Sequence, residues 1–376
     1  MKIGKYEFKE YAARKPISVS TTGEFISIVD IAKKTVARRG SLHTLDIAQK
    51  IKLTLERYKL EPDFKLGIVA QGILTKSQVM DEIKSQTEFG KVAVQAEMEY
   101  CNQLIAAIIG ADKLAVWPRI PKPPRIVIPD WRPVQKCVHF KIANRVLFLE
   151  NTTDAVTTPF ANYRIANVHT AFQARGFTVQ VLQGHDDIRA NFIPLAKNPL
   201  TVYIGGIGHG AYTLYTGDAG NHILEVGNYD PAEVKGKGIH FLSCQTAAQL
   251  GPDTVAKGAL FYDGYTENFT FVWDDAATPV NEMQLFEKAD STFDLMIASG
   301  ATAQQAYTAK TQAFNAAIAQ VPGTAAASWL TFDRDHNKLL GAGATTIQPS
   351  RTIKICFPLV ALDRQNALLN VGELID

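Results

Sequence analysis

Residues 200–247 read LTVYIGGIGHGAYTLYTGDAGNHILEVGNYDPAEVKGKGIHFLSCQTA, and this stretch decides the fold. It contains two apolar runs, residues 200–204 and residues 238–242, which predict buried strands because each is short and each is followed by small residues. The first run leads to His209 and the second leads to Cys244. Ligands of an open α/β sheet bind outside the carboxyl ends of its strands, so these two side chains are the predicted base and nucleophile of one site.

An apolar strand followed by His-Gly, with a second apolar strand followed by Ser-Cys, resembles the cysteine peptidases of the caspase, gingipain, clostripain and legumain group, clan CD. The resemblance runs from Arg145 to the C-terminus. It implies a cysteine endopeptidase that hydrolyses peptide bonds of a polypeptide substrate with a His209/Cys244 dyad. It also implies that the backbone amides of Gly210 and Cys244 hold the oxyanion. No cofactor and no metal are implied.

Cys244 is predicted to lie between a strand and a helix, because residues 245–249 favour a helix start. The N-terminus of a helix lowers the pKa of a thiol and offers amide donors. The alternative is an inert core thiol at the end of a buried strand, and the pairing with His-Gly favours the reactive thiol. For the whole protein, the second hypothesis is a catalytically silent caspase-fold scaffold that acts through interactions.

Residues 206–211 also fit the dinucleotide-binding pattern G-x-G-x-x-G/A, and Glu225 lies near the position expected of a ribose-binding acid. That fingerprint needs a helix directly after the glycines. Residues 212–226 instead place aromatic and β-branched residues on both sides of a glycine-rich turn, which predicts a hairpin. The pattern therefore favours a turn that carries His209 over a nucleotide site.

The specificity of the predicted peptidase is expected to come from two loops. In the family, the residue at the bottom of the primary pocket often follows the first strand, and that loop here carries Asp154. A carboxylate there would select Arg or Lys before the cleaved bond through charge-assisted hydrogen bonds. The alternatives for Asp154 are a helix N-cap and a solvated turn residue. Tyr265 and Glu267, after the fifth strand, are expected to form the pocket wall.

The second region of the chain alternates predicted strands with predicted helices, which is typical of a parallel sheet covered on both faces. Besides the two runs above, the predicted strands are residues 145–150, 177–182, 258–265 and 329–333, and the predicted helices are residues 162–175, 279–300 and 301–320. The fold class is therefore α/β, and the resemblance makes it a caspase-haemoglobinase-like, mainly parallel sheet. Residues 332–341 resemble the Leu-Gly strand end of gingipain-like and CHAT domains, with Gly-Ala-Gly-Ala where those domains usually have Gly-Asp-Pro.

Three segments are predicted along the chain. Residues 1–116 are a smaller, mostly helical N-terminal domain, with helical patterns over 23–39, 45–58 and 76–109. Residues 117–136 are a Pro-rich linker, extended because proline lacks an amide donor, and basic enough to be a processing site. Residues 137–376 are the peptidase domain. The N-terminal domain either packs as a plain helical neighbour or acts as a regulatory module that docks a protein partner.

Composition describes an ordinary globular chain of 376 residues with a formal net charge of +2, which gives no argument for nucleic acid or for a membrane surface. The four cysteines are scattered without CxxC spacing, which argues against a disulfide framework and a zinc site and favours a reducing compartment. No apolar leader opens the sequence, so a cytoplasmic location is expected. The acidic pair Asp274 and Asp275 lacks the ligand spacing of a known calcium loop.

Overall fold

A computed structural model describes residues 2–3, 6–20, 22–32, 44–69, 71–109, 136–273 and 282–357. The N-terminal region combines helices with short hairpins. Its strands are β1 (Lys2–Ile3), β2 (Tyr6–Glu7), β3 (Pro16–Val19), β4 (Phe25–Ser27), β5 (Lys65–Ile68) and β6 (Gly72–Thr75), and its helices are α1 (Glu10–Arg14), α2 (Ile28–Ala32), α3 (Ile47–Lys59), α4 (Lys76–Ser85) and α5 (Glu88–Ile109).

The second region supplies the central sheet and the helices that cover it. Its strands are β7 (Lys136–Ala143), β8 (Arg145–Glu150), β9 (Thr178–Gln183), β10 (Thr201–Ile207), β11 (Gly210–Ala211), β12 (Leu214–Thr216), β13 (His222–Glu225), β14 (Gly238–Leu242), β15 (Phe261–Tyr265), β16 (Thr270–Trp273), β17 (Asn337–Gly341) and β18 (Ser350–Phe357). Its helices are α6 (Thr158–Arg164), α7 (Thr170–Arg175), α8 (Arg189–Lys197), α9 (Leu250–Ala256), α10 (Glu282–Ser299), α11 (Ala303–Gln320) and α12 (Ala325–His336).

The central sheet has the strand order β17-β15-β14-β10-β8-β9. Strands β9, β8, β10, β14 and β15 are parallel, and β17 closes the sheet as an antiparallel edge. The α/β class with a mainly parallel sheet is therefore confirmed. When the five parallel strands are numbered by their order in the chain, they lie across the sheet in the order 2-1-3-4-5. The winding therefore reverses between β8 and β10, and such a reversal opens a crevice at the carboxyl ends of the strands.

The two faces of the sheet pack against different partners. On one face the Tyr215 ring stacks on Phe241 with ring centroids 3.9 Å apart, and Phe241 meets Tyr262 edge to face. The other face carries apolar residues together with a cluster of buried charged side chains contributed by β8, β14, β15, α6, α10 and α11. The sheet is thus buried on both sides, as a parallel sheet requires.

The N-terminal region shares a sheet and a core with the second region. Strand β5 pairs antiparallel with β16 on one side and with β6 on the other. Helix α5 packs along α12, where the Phe89 ring stacks on Trp329, and Lys15 Nζ donates to the Gly323 carbonyl at 2.9 Å. The domain boundaries drawn from the sequence stay a prediction. The linker over residues 117–136 lies outside the described residues except for Lys136, the first residue of β7.

Most predicted elements of the second region are confirmed, and one is wrong. Strands β8, β9, β10, β14 and β15 and helices α10 and α11 lie where the sequence patterns put them. Residues 329–333, predicted as the last strand, lie inside helix α12, and the last strand of the central sheet is β17. A short apolar run fits a buried helix as well as a strand, and the Thr324 side chain caps this helix by accepting from the Ala327 amide.

The N-terminal helices differ from the sequence pattern in their boundaries. Helix α3 agrees with the predicted pattern over 45–58 to within two residues at each end, and it begins after Asp46, which forms a capping box with Gln49. The predicted helix over 76–109 is two helices that meet at Gln86, whose φ of 52° breaks the helical path. Part of the predicted helix over 23–39 is strand β4, followed by the short helix α2, and the rest lies outside the described residues.

Candidate active site

His209 and Cys244 come from neighbouring strands beside the crevice of the central sheet. Strands β10 and β14 are paired in register up to Ile207 and Leu242. Each candidate residue follows its strand by two positions. Because the two strands are parallel neighbours, the predicted base and nucleophile both come to the carboxyl edge of the sheet. The loop after β8, which carries Asp154, borders the same crevice.

His209 is held by Asp154. The His209 Nε2 atom lies 3.1 Å from Asp154 Oδ2, and each of the two side chains is 32% exposed. The carboxylate also accepts the amides of Val156 and Thr157, at 2.9 and 3.0 Å, and the Thr157 hydroxyl at 2.6 Å. Burial raises the pKa of Asp154, but the hydrogen bonds from His209 and Thr157 outweigh it and lower this pKa to about 2. Asp154 is therefore an ionised acceptor at neutral pH.

The acceptor role of Asp154 sets the tautomer of His209. Because the carboxylate accepts, Nε2 of neutral His209 carries the proton and Nδ1 has a free lone pair. The Nδ1 atom is buried and has no hydrogen-bond partner among the residues that the structure describes. A histidine with one nitrogen anchored and the other available has the arrangement of a general base.

The His-Gly turn is pressed against the loop that carries Cys244. A Cβ atom at Gly210 would collide with Ser243 Oγ and would lie 2.6 Å from the Cys244 carbonyl oxygen. Glycine is thus required there by the close approach of the two loops. After this turn the chain forms the antiparallel strands β11, β12 and β13, which confirms the predicted hairpin. The helix that a dinucleotide fingerprint needs does not follow residues 206–211, so that alternative fails on geometry.

Cys244 sits in a turn rather than at a helix start. The next residue, Gln245, has a φ of 59°, and its amide donates to the Glu267 carbonyl at 3.1 Å, while the Ala247 amide donates to the Tyr265 carbonyl at 2.9 Å. Helix α9 begins only at Leu250, so the prediction of a helix from residue 245 is wrong. The amides that a helix start would supply are used instead to bind the segment after β15. Helix-dipole activation of the thiol is therefore not available in this conformation.

The Cys244 side chain is fully covered. It is 0% exposed and belongs to an apolar cluster that includes Ile207, Val156, Phe160 and Tyr265. The same cluster continues into the N-terminal region through residues of β5. In the conformation described here both proposed reacting atoms are covered, because Cys244 is fully buried and the Nδ1 atom of His209 is buried although its side chain is 32% exposed.

The predicted pocket residues lie in different environments. The carboxylate oxygens of Asp154 already accept hydrogen bonds from His209 and from residues of its own turn. This environment fits the predicted alternative of a turn residue better than the role of a specificity residue. The N-cap position of α6 is Thr157. Tyr265 is 1% exposed and donates its hydroxyl to Asp290 at 2.8 Å, so its side chain is not available as a pocket wall. Glu267 is partly exposed and flanks the Cys244 loop.

A buried ionic cluster beneath this edge was not predicted from the sequence. We use "ionic cluster" for His240, Lys310, Arg164, Glu150, Asp263, Asp290 and Asp294, all at most 1% exposed. His240 Nδ1 lies 3.0 Å from Asp294, and its Nε2 lies 3.3 Å from both Asp263 and Asp290. Lys310 Nζ lies 2.7 and 2.9 Å from those same two carboxylates.

The remaining contacts of the ionic cluster link it to the first strand of the sheet. Arg164 forms an ion pair with Asp294 at 2.6 Å and a second one with Glu150, the last residue of β8, at 3.1 Å. Burial lowers the pKa of His240, but Asp294 and Asp290 outweigh it and raise this pKa to about 9. Both ring nitrogens of His240 therefore contact carboxylates, which is the environment of a structural histidine. No sequence signal marks the cluster, because its members are brought together from six elements.

No family model matches the chain, and no curated protein matches it. Two of the solved structures that are similar to this chain are described here. These likenesses concern the fold alone. The crystal structure of the Arg-specific cysteine proteinase gingipain R is 10% identical, with a TM-score of 0.37, and the match covers 55% of this chain and 48% of that chain. The complex of Porphyromonas gingivalis RgpB pro- and mature domains is 11% identical, with a TM-score of 0.36 and the same coverage. The chain spans about half the length of these structures.

Two kinds of feature, a membrane-spanning helix and a metal-binding group, are absent from the described residues. None of their helices is long and apolar enough to cross a membrane. None of their His, Cys, Asp and Glu side chains form a group of three or more that could hold a metal ion. Asp274 and Asp275, the acidic pair considered for calcium, lie outside the described ranges.

Proposed function

We propose that this protein is a cysteine endopeptidase whose nucleophile is Cys244 and whose general base is His209. The observation that carries the proposal is the Asp154–His209 pair, which leaves Nδ1 without a partner in the described structure, on a turn that contacts the Cys244 loop through Gly210. A reaction site needs an available nitrogen beside a nucleophile, and a core histidine needs neither.

The proposed reaction uses these groups in a fixed order. His209 Nδ1 takes the thiol proton, and the Cys244 thiolate attacks the carbonyl carbon of the scissile peptide bond. The oxyanion is held by the amides of Gly210 and Cys244, and His209 then gives its proton to the leaving amine as the C–N bond breaks. Water, deprotonated by His209, hydrolyses the thioester and restores the thiol. Asp154 holds the histidine in the tautomer that this order requires.

We further propose that the closed thiol marks a latent form. Cys244 is 0% exposed, so attack on a polypeptide requires the covering residues to move. The segment after β15 is bound at one end by the Gln245 amide and at the other by the N-terminal region, where the Val69 amide donates to the Phe269 carbonyl at 3.3 Å. Displacement of the N-terminal region, by a protein partner or after self-processing, would release this segment. Activity of this kind fits the reducing, cytoplasmic compartment expected from the scattered cysteines.

A second candidate function is a silent scaffold of the same fold. The buried Cys244 favours it, because an inert core thiol is also covered by apolar residues. The pairing of His209 with Asp154 favours the peptidase, because it orients an imidazole on the turn that contacts the Cys244 loop.

Turnover of fluorogenic peptides by the full-length chain separates the two candidates. The panel carries Arg, Lys, Asp, Asn or Leu before the reporter, and Cys244→Ala and His209→Ala are assayed beside the wild type. The peptidase predicts turnover that is lost in both variants while both stay folded by circular dichroism. The scaffold predicts no turnover in any of the three. Intact mass of the wild type beside Cys244→Ala tests self-processing, which is excluded if both remain full length.

A further inference from the structure

The two edges of the central sheet differ in charge. Strand β17 closes one edge and carries the exposed Lys338. Strand β9 forms the other edge, and its sequence, TVQVLQ, contains no charged residue, no proline and no glycine. A charge or a proline on an edge strand hinders its pairing with a further strand, and β9 has neither. Strand β9 is therefore the edge of this sheet that can accept another strand.

The outer side of β9 has backbone groups available for such pairing. Its inner side pairs with β8, and there the Thr178 amide donates to the Asn144 carbonyl at 2.9 Å. Successive residues of a strand direct their backbone groups to opposite sides, so Val179, Val181 and Gln183 direct theirs away from β8. Within the part of the chain that the structure describes, no hydrogen bond uses these three amides or carbonyls.

A side chain at the middle of this edge is also uncovered. Val181 is 38% exposed, whereas Val179, two positions earlier on the same face of the strand, packs against the core beside α7. A strand that paired with β9 would cover Val181 as well as bind the outward backbone groups.

The charges at the two ends of β9 indicate which strand fits. Arg175 lies just before β9 and Asp186 lies just after it, and both are exposed. In a second copy that runs in the opposite direction, each Arg175 approaches Asp186 of the other copy, and opposite charges across a strand pair are favourable. A parallel copy would bring like charges together. The charge pattern of β9 is thus complementary to itself in the antiparallel direction.

We infer that β9 pairs antiparallel with β9 of a second copy of this chain, and that the pairing joins two six-stranded sheets into one. The two-fold axis passes through Val181, which faces Val181 of the second copy, while Val179 faces Gln183. This register uses every outward backbone group of the strand, and the same surface serves both copies. The inference is independent of the proposed peptidase function, because the pairing is the same for a peptidase and for a scaffold.

Sedimentation equilibrium of the full-length chain over a range of concentrations tests the pairing. The wild type is expected to be a dimer at about 50 μM. Val181→Lys places two like charges directly opposite each other, so it is expected to raise the dissociation constant of the dimer about tenfold or more. Val226→Lys is the matched control, because Val226 is 36% exposed and follows β13, outside the central sheet. It is expected to leave the dissociation constant unchanged.

A charge exchange tests the direction of the pairing. Arg175→Asp and Asp186→Arg each replace two attractive contacts by repulsive ones, so each is expected to raise the dissociation constant about threefold or more. The double variant restores opposite charges and is expected to return to the wild-type value. Circular dichroism checks that every variant is folded. If Val181→Lys did not fold, the charge exchange would test the pairing by itself.

Three results would overturn the inference. A wild type that stays monomeric at about 100 μM would show that a second copy does not occupy this edge. A dimer that is equally stable in Val181→Lys would show that the copies meet elsewhere. Single charge variants that dimerise as tightly as the wild type, or a double variant that stays as weak as the single ones, would exclude the antiparallel register.

Discussion

Two histidines on adjacent elements of the sheet show how differently one fold can use the same side chain. His209 is 32% exposed at its side chain, has one carboxylate partner and keeps Nδ1 without a partner among the described residues. His240 is 0% exposed and contacts carboxylates through both nitrogens, with Lys310 beside it. An available nitrogen can exchange protons with a substrate, whereas a saturated buried one holds a charge in place. The difference separates the candidate reaction site from the cluster that supports it.

The largest expected effect follows from removing the available nitrogen. His209→Ala should lower kcat/KM by about 10⁴-fold or more, because loss of the general base from a unit of this kind costs on that order. Its free energy of unfolding should change little, since the side chain has a single partner. Peptide turnover and urea denaturation measure the two effects. His185→Ala is the matched control, because His185 also pairs with an aspartate, Asp218, at 2.9 Å and its side chain is 91% exposed.

The next largest effect is on stability and comes from the ionic cluster. Lys310→Met leaves Asp263 and Asp290 short of their nearest cation in a fully buried site, so the free energy of unfolding should fall by about 3–5 kcal/mol. Urea denaturation measures the change. Lys84→Met, which breaks an exposed pair with Asp81 at 2.8 Å, should cost at most about 1 kcal/mol. Equal losses in the two variants would show that the ionic cluster does not support the fold as described.

Asp154→Asn should have a smaller effect on the reaction than His209→Ala. An amide at this position can donate to Nε2 of His209 and favour the tautomer in which Nδ1 carries the proton, so kcat should fall about 10²-fold with little change in KM. Steady-state kinetics measures the split. Asp218→Asn, a change of the same chemistry at the His185 pair, should leave both constants as they are. A rise in KM for Arg peptides alone in Asp154→Asn would return this residue to the specificity role predicted from the sequence.

The most gradual effect is the dependence of stability on pH. The folded-state pKa of His240 is raised to about 9, so its contribution is complete below the unfolded-state value of about 6.5 and is lost as pH rises through 9. The folded-state pKa of Asp154 is lowered to about 2, so its contribution is complete above about 3.9 and is lost as pH falls toward 2. Melting temperatures across pH 2–10 in wild type and His240→Gln measure the alkaline limb, which should flatten in the variant.

The structure could be predicted from the sequence where local patterns of residues determine it. The apolar runs before His209 and Cys244, and the helices α10 and α11, follow from periodicity and from glycine positions, and the mainly parallel sheet follows from their alternation. The candidate base and nucleophile were placed together for the same reason, because strand ends in a parallel sheet meet at one edge.

The remaining features depend on contacts between residues far apart in the chain. The pairing of Asp154 with His209 spans 55 positions, and the contact of Arg164 with Asp294 spans 130. The closure of Cys244 involves a core shared with the N-terminal region, and the turn at Gln245 is stabilised by the carbonyl of Glu267 rather than by a helix. Residues 329–333 of helix α12 were mistaken for a strand because five residues, three of them apolar, are too few to show a helical period.

Two buried cysteines allow the most direct test of the central claim that Cys244 is a site thiol rather than a core thiol. Cys101 is also 0% exposed, and burial raises its pKa to about 12. Alkylation of the folded, full-length chain by iodoacetamide, followed by peptide mapping in a mass spectrometer, gives the rate at each cysteine. If Cys244 is the nucleophile and His209 its base, we expect Cys244 to be alkylated faster than Cys101, and we expect His209→Ala to lower the alkylation rate of Cys244 alone. Equal rates at the two cysteines, unchanged by His209→Ala, would contradict it.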